Sequence, residues 1–357
     1  MTWPTADSAR PSTISRSREP CLLPSFPHTQ SAHCESGVAA NLLTHRGLPV
    51  SEAMAFGIGS GIFFGYLPFI RINGLPLVTY RAAAGHMLKK IAAIPGVSLF
   101  EKKFRSQAEA MAELDQALDA AIPVGLQTGV FWLPYFPRAL RFHFNAHNLV
   151  VYGKEGDEYL ISDPVFPAPV RCPAEDLARA RFASGALAPK GKMYYLQHVP
   201  EQLDLPPLIV QGVHFASRMM LASPFPLIGV KGIRFLANRL IKWPQRLGRE
   251  RAELHLGHVV RMQEEIGTGG GGFRFMYAAF LNESAEIINE PLLHDLAATF
   301  TAAGDTWREF AARAARICKG RALPDDTYPA MAECMHRCAA LETEAFTQLR
   351  QWAGQHR

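Results

Sequence analysis

The hydropathy pattern of the chain changes at residues 200–207, and this change limits the folds that the chain can adopt. Before it, helical patterns give way to short apolar runs, and the runs at 148–152 and 158–162 are typical of adjacent antiparallel strands. After it, helical patterns cover 208–222, 230–242, 248–266, 273–286, 291–302, 305–318 and 328–353. The predicted class is α+β: a leading helix plus antiparallel sheet at residues 31–200, then an all-α domain at 201–357.

Residues 1–30 are rich in Ser, Pro, Thr and Arg and lack an apolar run long enough for a signal peptide, so we predict a disordered extension. No later run reaches about 18 uninterrupted apolar residues, which predicts that no segment spans a membrane. The six cysteines show no Cys-x-x-Cys spacing, and Cys334 and Cys338 lie four residues apart without enough neighbouring ligands for a metal. We therefore predict a cytoplasmic protein with no metal and no cofactor. A net charge of +5 is too small to indicate a nucleic-acid partner.

A cysteine at the head of a short helical pattern is the first candidate for chemistry. Cys34 precedes Val38 and Leu42, which would line one face of a helix ended by Gly47 and Pro49. A helix N-terminus favours the thiolate over the thiol, and its unpaired backbone N–H groups can stabilise an oxyanion. The stretch predicts a nucleophile at Cys34; the alternative is a small, buried and unreactive cysteine.

A β-hairpin supplies the candidate partners of this cysteine. His147 begins one predicted strand and Asp163 follows the next, so the two residues lie nearly opposite each other across the ladder. A carboxylate beside an imidazole fixes its tautomer and stabilises the imidazolium, which in turn lowers a thiol pKa. The order Cys34, His147, Asp163 is that of papain-like folds. The alternatives are a core histidine beside a strand-ending turn, or His143 as the base.

Two further segments are candidates for contact with a substrate. Gly57–Tyr66 contains Gly59 and Gly61 among aromatic residues, which indicates either tight backbone packing or a loop close to a ligand. The segment lacks the Lys-Ser/Thr ending of a phosphate loop. Phe131–Pro137 is an aromatic loop stiffened by proline, so Tyr135 is predicted to line a pocket, the alternative being a cap on the core.

Several separated motifs together resemble the butirosin biosynthesis protein H family. In the N-terminal half they are His33-Cys34 with Asn41-Leu42-Leu43, the segment from Ser51 to Gly61, Leu133-Pro134-Tyr135, and His147-Asn148-Leu149-Val150-Val151-Tyr152-Gly153 with Ser162-Asp163-Pro164. The segment from Glu264 through Gly272 to Leu281 resembles the domain of unknown function that often follows. The resemblance covers most of residues 31–350.

The resemblance implies a papain-like domain with Cys34 as nucleophile, His147 as base and Asp163 as orienting acid. The named family member moves an acyl group from an acyl carrier protein to an aminoglycoside amine. This implies a ping-pong acyltransferase in specialised metabolite or lipid biosynthesis, with an acyl carrier protein or CoA thioester as donor and a small amine as acceptor. The alternatives are a C39-like peptidase or amidase and an inactive carrier- or peptide-binding module. Leader peptidases carry a Gln before the cysteine as an oxyanion donor; Gln30 matches it only loosely, so we expect the Cys34 N–H to donate.

The predicted substrate contacts extend into the helical half. Asn148 follows the base directly and is predicted to contact the substrate. The Gly267–Gly272 loop leads into Arg274 at the start of a helical pattern, so Gly269, Gly270 and Arg274 are predicted to receive a pantetheine phosphate. The alternative is a flexible turn between two helices.

A basic stretch is the predicted docking site for an acidic acyl carrier protein. Its main residues are Lys231, Arg234, Lys242 and Arg246. The alternatives are a solvated helix face and a peripheral membrane contact, the latter suggested by nearby Phe225, Phe235 and Trp243.

Overall fold

The computed structural model of the chain describes residues 26–72 and 74–356, so most of the predicted disordered extension lies outside the described residues. Its last residues contradict the prediction. Phe26 is buried and stacks on Tyr152 with ring centroids 5.6 Å apart, and His28 Nδ1 lies 2.8 Å from Ser162 Oγ. Residues 26–30 therefore belong to the folded structure, because they pack against the strands at 147–155 and 158–162.

The N-terminal part begins with helices packed around a two-stranded sheet. Its elements are α1 (Cys34–His45), α2 (Glu52–Ile58), β1 (Ile62–Ile72), β2 (Leu75–Arg81) and α3 (His86–Ala92). Strands β1 and β2 pair in antiparallel fashion. The sequence interpretation of Gly57–Tyr66 as a tight segment or ligand loop missed this hairpin, since glycines and a proline interrupt the strand pattern.

A six-stranded antiparallel sheet follows, with strand order β3-β8-β4-β5-β6-β7. Its elements are β3 (Ser98–Lys102), α4 (Gln107–Asp119), β4 (Val124–Thr128), β5 (His147–Glu155), β6 (Glu158–Ser162), β7 (Val170–Pro173), α5 (Ala174–Arg181) and β8 (Met193–His198). Because β5 and β6 are joined by a turn at residues 156–157, the beginning of β5 and the end of β6 lie at the same edge of the sheet.

The remainder is helical, as predicted. Its elements are α6 (Leu205–Ala222), α7 (Gly229–Leu240), α8 (Trp243–Leu247), α9 (Arg249–Glu264), α10 (Arg274–Ile288), α11 (Pro291–Cys318) and α12 (Tyr328–Gln355). The predicted helices 291–302 and 305–318 are in fact one helix, which continues through Gly304. The glycine leaves room for the Phe275 ring, which would lie 2.8 Å from a Cβ there. No helix within the described residues is long and apolar enough to cross a membrane.

The two predicted domains share one hydrophobic core. A single buried cluster contains residues of α1, α2, the β1–β2 hairpin and the helices from α6 to α12. A second cluster lies between the opposite face of the six-stranded sheet and helices α4 and α5. The helical half therefore supports the helix that carries Cys34, and the boundary at residue 200 stays a prediction.

Candidate active site

The N-terminus of α1 is held by a carboxylate and an imidazole. Glu52 accepts hydrogen bonds from the backbone N–H groups of Ala32 (2.8 Å) and His33 (2.7 Å). The His33 side chain caps the helix by accepting from the N–H of Ser36. Cys34 is the first helical residue, so its own N–H has no carbonyl partner within the helix. This amide is available to a ligand beside the sulfur.

His147 and Asp163 form a buried pair at the edge of the sheet. His147 Nε2 lies 2.7 Å from Asp163 Oδ2, and the two residues are 4% and 0% exposed. The other ring nitrogen is then left for Cys34, whose thiol is a hydrogen-bond neighbour of the imidazole. The structure thus brings Cys34, His147 and Asp163 together, and His147 lies beside Asp163 as the hairpin predicts.

The charges at this site favour a thiolate and an imidazolium. Burial acts to raise the pKa of Cys34, but the hydrogen bond and charge of His147, with the charge of Arg81, lower that pKa below its usual value. Burial likewise acts to lower the pKa of His147, but Asp163 and Cys34 raise it to about 10. These shifts favour a Cys34 thiolate beside a His147 imidazolium.

The other cysteines within the described residues have the opposite environment. Burial raises the pKa of Cys172 to about 12, and it also raises the pKa values of Cys318, Cys334 and Cys338. Among these thiols, Cys34 is the one whose surroundings favour the nucleophilic form.

Asp163 is fixed by contacts on both carboxylate oxygens. The Tyr135 hydroxyl donates to Oδ2 over 2.8 Å, and the N–H of Val165 donates to Oδ1 over 3.2 Å. Burial and the charge of Asp163 hold the pKa of Tyr135 well above its usual value, so the hydroxyl stays a donor. Tyr135 therefore contacts the orienting acid, a role that the sequence did not predict for it.

Asn148 lies beside the sulfur on the other face of β5. Its Nδ2 is 3.9 Å from Cys34 Sγ, and its Oδ1 accepts a 2.9 Å hydrogen bond from the Tyr194 hydroxyl. The prediction that Asn148 contacts the substrate is compatible with this position next to the reacting atom.

The Gly267–Gly272 loop covers the segment that precedes Cys34. A Cβ placed on Gly267 would lie 3.4 Å from the carbonyl oxygen of Ala32, and one on Gly269 would lie 3.3 Å from the Ala32 side chain. The Phe273 ring packs edge-on against His33, with centroids 5.2 Å apart. The helical half thus closes over the N-terminus of α1.

Comparison with known proteins connects this geometry to a family. Residues 33–164 match the model described as butirosin biosynthesis protein H, N-terminal, and residues 175–349 match a domain of unknown function, DUF4872. Residues 33–164 thus belong to the domain that names the butirosin biosynthesis protein H family. The candidate residues Cys34, His147 and Asp163 all lie inside the first match.

Other comparisons are more distant. A crystal structure of a putative C39-like peptidase from Bacillus anthracis is 17% identical, covers 51% of this chain and all of its own chain, and superposes with a TM-score of 0.36. No curated protein matches the chain.

Two glycines that were predicted to contact substrate instead have a packing role. A Cβ on Gly59 would lie 2.8 Å from the Ala55 carbonyl oxygen, and one on Gly61 would lie 2.5 Å from the Phe56 ring. Both glycines are buried, so the prediction of a ligand loop is corrected to close packing between α2 and its neighbours.

Arg274 is not available to a phosphate. It is 0% exposed and forms a two-point ion pair with Glu342, with N···O distances of 2.8 and 2.7 Å. The predicted phosphate site at Gly269, Gly270 and Arg274 therefore lacks its cation. Gly269 stays a candidate only for contact near Ala32, whereas Gly270 lies against the Arg308 side chain. Thr268 rather than a ligand accepts the Gly270 N–H.

The two alternative polar residues lie in other surroundings. His143 is exposed and stacks on Phe131, with centroids 4.3 Å apart, so the geometry favours His147 as the base. Gln30 is exposed, and its side-chain amide donates to the Val165 carbonyl. No group of three metal-binding side chains occurs within residues 26–72 and 74–356.

The predicted docking residues differ in their availability. Lys231, Lys242 and Arg246 are exposed, although Lys231 also donates to the Ser223 carbonyl. Arg234 is partly buried and donates to Ala339 and Thr343 of α12, so it joins two helices. Trp243 is buried, which removes it from the predicted membrane contact.

Proposed function

We propose that this protein is a cysteine-dependent acyltransferase that moves an acyl group from a carrier thioester to an amine. The observation that supports this proposal is the shielded sulfur. Cys34 is 6% exposed and lies beside the His147–Asp163 pair, and the Gly267–Gly272 loop packs against Ala32 just before it. Because water hydrolyses an acyl-enzyme, a site that excludes it favours transfer to a bound amine.

In the first step, the Cys34 thiolate attacks the carbonyl carbon of the donor thioester. A bond forms between Sγ and the acyl carbon, and the bond from that carbon to the donor sulfur breaks. The leaving thiolate takes the proton of the His147 imidazolium. The acyl-enzyme is also a thioester, so this exchange is close to balanced in energy.

In the second step, an amine attacks the acyl-enzyme. The amine gives a proton to neutral His147, and Cys34 departs as the thiolate, which restores the ion pair. Asp163 stabilises the His147 imidazolium both in the resting enzyme and when it forms again during attack by the amine. Formation of an amide from a thioester makes this step favourable.

We propose an acidic acyl carrier protein as donor, with coenzyme A as the second possibility. The proposed docking contacts are the exposed side chains of Lys231, Lys242 and Arg246, because their positive charges attract an acidic protein and repel a basic one. Arg234 is left out of this set because its guanidinium is bound to α12.

The test is intact-protein mass spectrometry after incubation with an acyl carrier thioester. We expect one acyl adduct on the wild-type chain and none on Cys34→Ala. The control is Cys318→Ala, which removes an exposed thiol and should keep the adduct. An adduct that survives in Cys34→Ala would contradict the assigned nucleophile.

The acceptor is tested by adding hydroxylamine to the isolated acyl-enzyme. Transfer gives the hydroxamate, whereas hydrolysis gives the free acid. A predominance of hydroxamate supports the proposal. Free acid alone, together with cleavage of peptide substrates, would instead support a peptidase.

A further inference from the structure

We infer that Asn148 donates a hydrogen bond to the oxyanion formed during acylation, together with the backbone N–H of Cys34. The inference rests on the proposed function, because an oxyanion arises only when the sulfur attacks an acyl carbon. It concerns a residue 114 positions away from the nucleophile in the chain.

The side-chain amide of Asn148 has one N–H to spare. Nδ2 carries two hydrogens. One is used in a 3.2 Å hydrogen bond to the carbonyl of Ala146, and the other is directed to Cys34 Sγ at 3.9 Å. That distance is long for a bond to sulfur. It leaves room for the oxygen on the carbon that Sγ attacks. A donor stabilises such an oxyanion best when the donor atom lies about 2.7–3.1 Å from the oxygen.

Tyr194 fixes the orientation of this amide. Its hydroxyl donates to Asn148 Oδ1 over 2.9 Å, which directs Nδ2 toward the sulfur. Burial holds the pKa of Tyr194 well above its usual value, so the hydroxyl remains a donor. The ring lies over Gly125, where any Cβ would overlap it. Tyr194 is therefore a positioning residue for Asn148.

The base and the proposed donor approach the sulfur from different sides. Adjacent residues of a strand point to opposite faces. The His147 ring packs edge-on against Phe136 on one face, whereas Asn148 bonds to Tyr194 on the other. This separation allows His147 to transfer the proton while Asn148 donates a hydrogen bond to the oxyanion. Gln30 does not compete, since its amide is exposed and bonded to Val165.

The experiment compares two reactions of the same thiolate in the full chain, in a Cys318→Ala background. Iodoacetamide reacts by displacement at a saturated carbon and forms no oxyanion. p-Nitrophenyl acetate forms one, and its acylation rate is read from the release of nitrophenolate. We expect Asn148→Ala to slow acylation by about 10²- to 10³-fold, the usual effect of removing one oxyanion donor. Alkylation should keep its rate.

Tyr194→Phe provides a second and milder variant. It keeps the ring over Gly125 but removes the hydroxyl, so acylation should fall while alkylation again stays unchanged. If Asn148→Ala does not fold, the Tyr194→Phe variant alone tests the inference about Asn148. Equal losses in both reactions, or an unchanged acylation rate, would overturn the inference. Acylation of the wild-type chain by the aryl ester but not by a carrier thioester would count against the carrier thioester as acyl donor. It would not count against the role of Asn148.

Discussion

Tyr135 and His147 bind the same oxygen of Asp163. The tyrosine hydroxyl and the imidazole Nε2 lie 2.8 and 2.7 Å from Oδ2. Tyr135 belongs to the aromatic loop between β4 and β5, and Phe136 of that loop packs against the His147 ring. The loop therefore holds both members of the acid–base pair, and a change in it should alter the reaction without touching Cys34.

Tyr135→Phe is expected to reduce both stability and turnover. The loss of one hydrogen bond to a charged group should lower the free energy of unfolding by about 1.5–3 kcal/mol. Asp163 then holds His147 less firmly. Because a small misplacement of a catalytic group lowers the reaction rate, turnover should fall by about tenfold. Denaturant titration and steady-state rates measure the two effects.

Tyr159→Phe is the matched control. Tyr159 donates to Asp115 over 2.6 Å on the same sheet, away from the site. It should lose similar stability while retaining turnover. Equal losses of turnover in both variants would show that Tyr135 acts only through stability.

The pH dependence of alkylation should reveal the ion pair. The pKa of Cys34 is lowered and that of His147 is raised to about 10, so the thiolate should persist below the usual cysteine pKa. The imidazolium partner is lost only as pH rises through about 10. The rate of iodoacetamide inactivation should therefore already be high at neutral pH.

Asp163→Asn should move this profile in a defined direction. Without the carboxylate the pKa of His147 falls, the imidazolium is lost at lower pH, and the pKa of Cys34 rises toward about 8.5. Alkylation near neutral pH should then slow. The control is Asp115→Asn, whose carboxylate bonds Lys154 and Tyr159 instead. An unchanged profile in Asp163→Asn would contradict the assigned acid.

Arg274→Met should destabilise the protein strongly. It leaves Glu342 as an uncompensated buried charge, which usually costs about 3–5 kcal/mol. Adding Glu342→Gln should restore much of this loss, because the amide is neutral and can still accept from Trp307 Nε1 (2.9 Å). Denaturant titration of the single and double variants tests the pairing. A fully stable single variant would contradict the structural role of Arg274.

Gly57→Ala should loosen the contact between the two halves. A Cβ on Gly57 of α2 would overlap the Phe280 ring of α10, and overpacking of a core typically costs about 1–3 kcal/mol. Gly354→Ala is the control, since a Cβ there meets no atom within 4 Å and alanine is the better helix former. Thermal melting should lower the midpoint for the first variant and leave or raise it for the second. Equal midpoints would contradict the close approach.

The sequence predicted the parts of the site that depend on local pattern. The turn between β5 and β6 places His147 near Asp163, and the helical pattern after Cys34 places the sulfur at a helix N-terminus. The fold class followed from the same periodicities. These predictions depend on residues close together in the chain, where spacing determines geometry.

Other features depend on distant partners and left no local signal. Arg274 after a run of glycines has the composition of an anion site, but Glu342 lies 68 residues further on. Gly59 and Gly61 have the composition of a ligand loop, but the side chain of Met87 in α3, distant in the chain, would lie within 3.0 Å of a Cβ at either position. The bond between Tyr135 and Asp163 depends on a loop conformation that its composition does not determine.

The loop from Gly267 to Gly272 has a consequence for how the protein is assayed. It joins α9 to α10, and it lies against Ala32. If the proposed reaction is correct, the ratio of amide to free acid among the products measures how tightly the helical half fits the N-terminal half. Substitutions in distant helices would then convert a transferase into a slow hydrolase while its three reacting side chains stay the same.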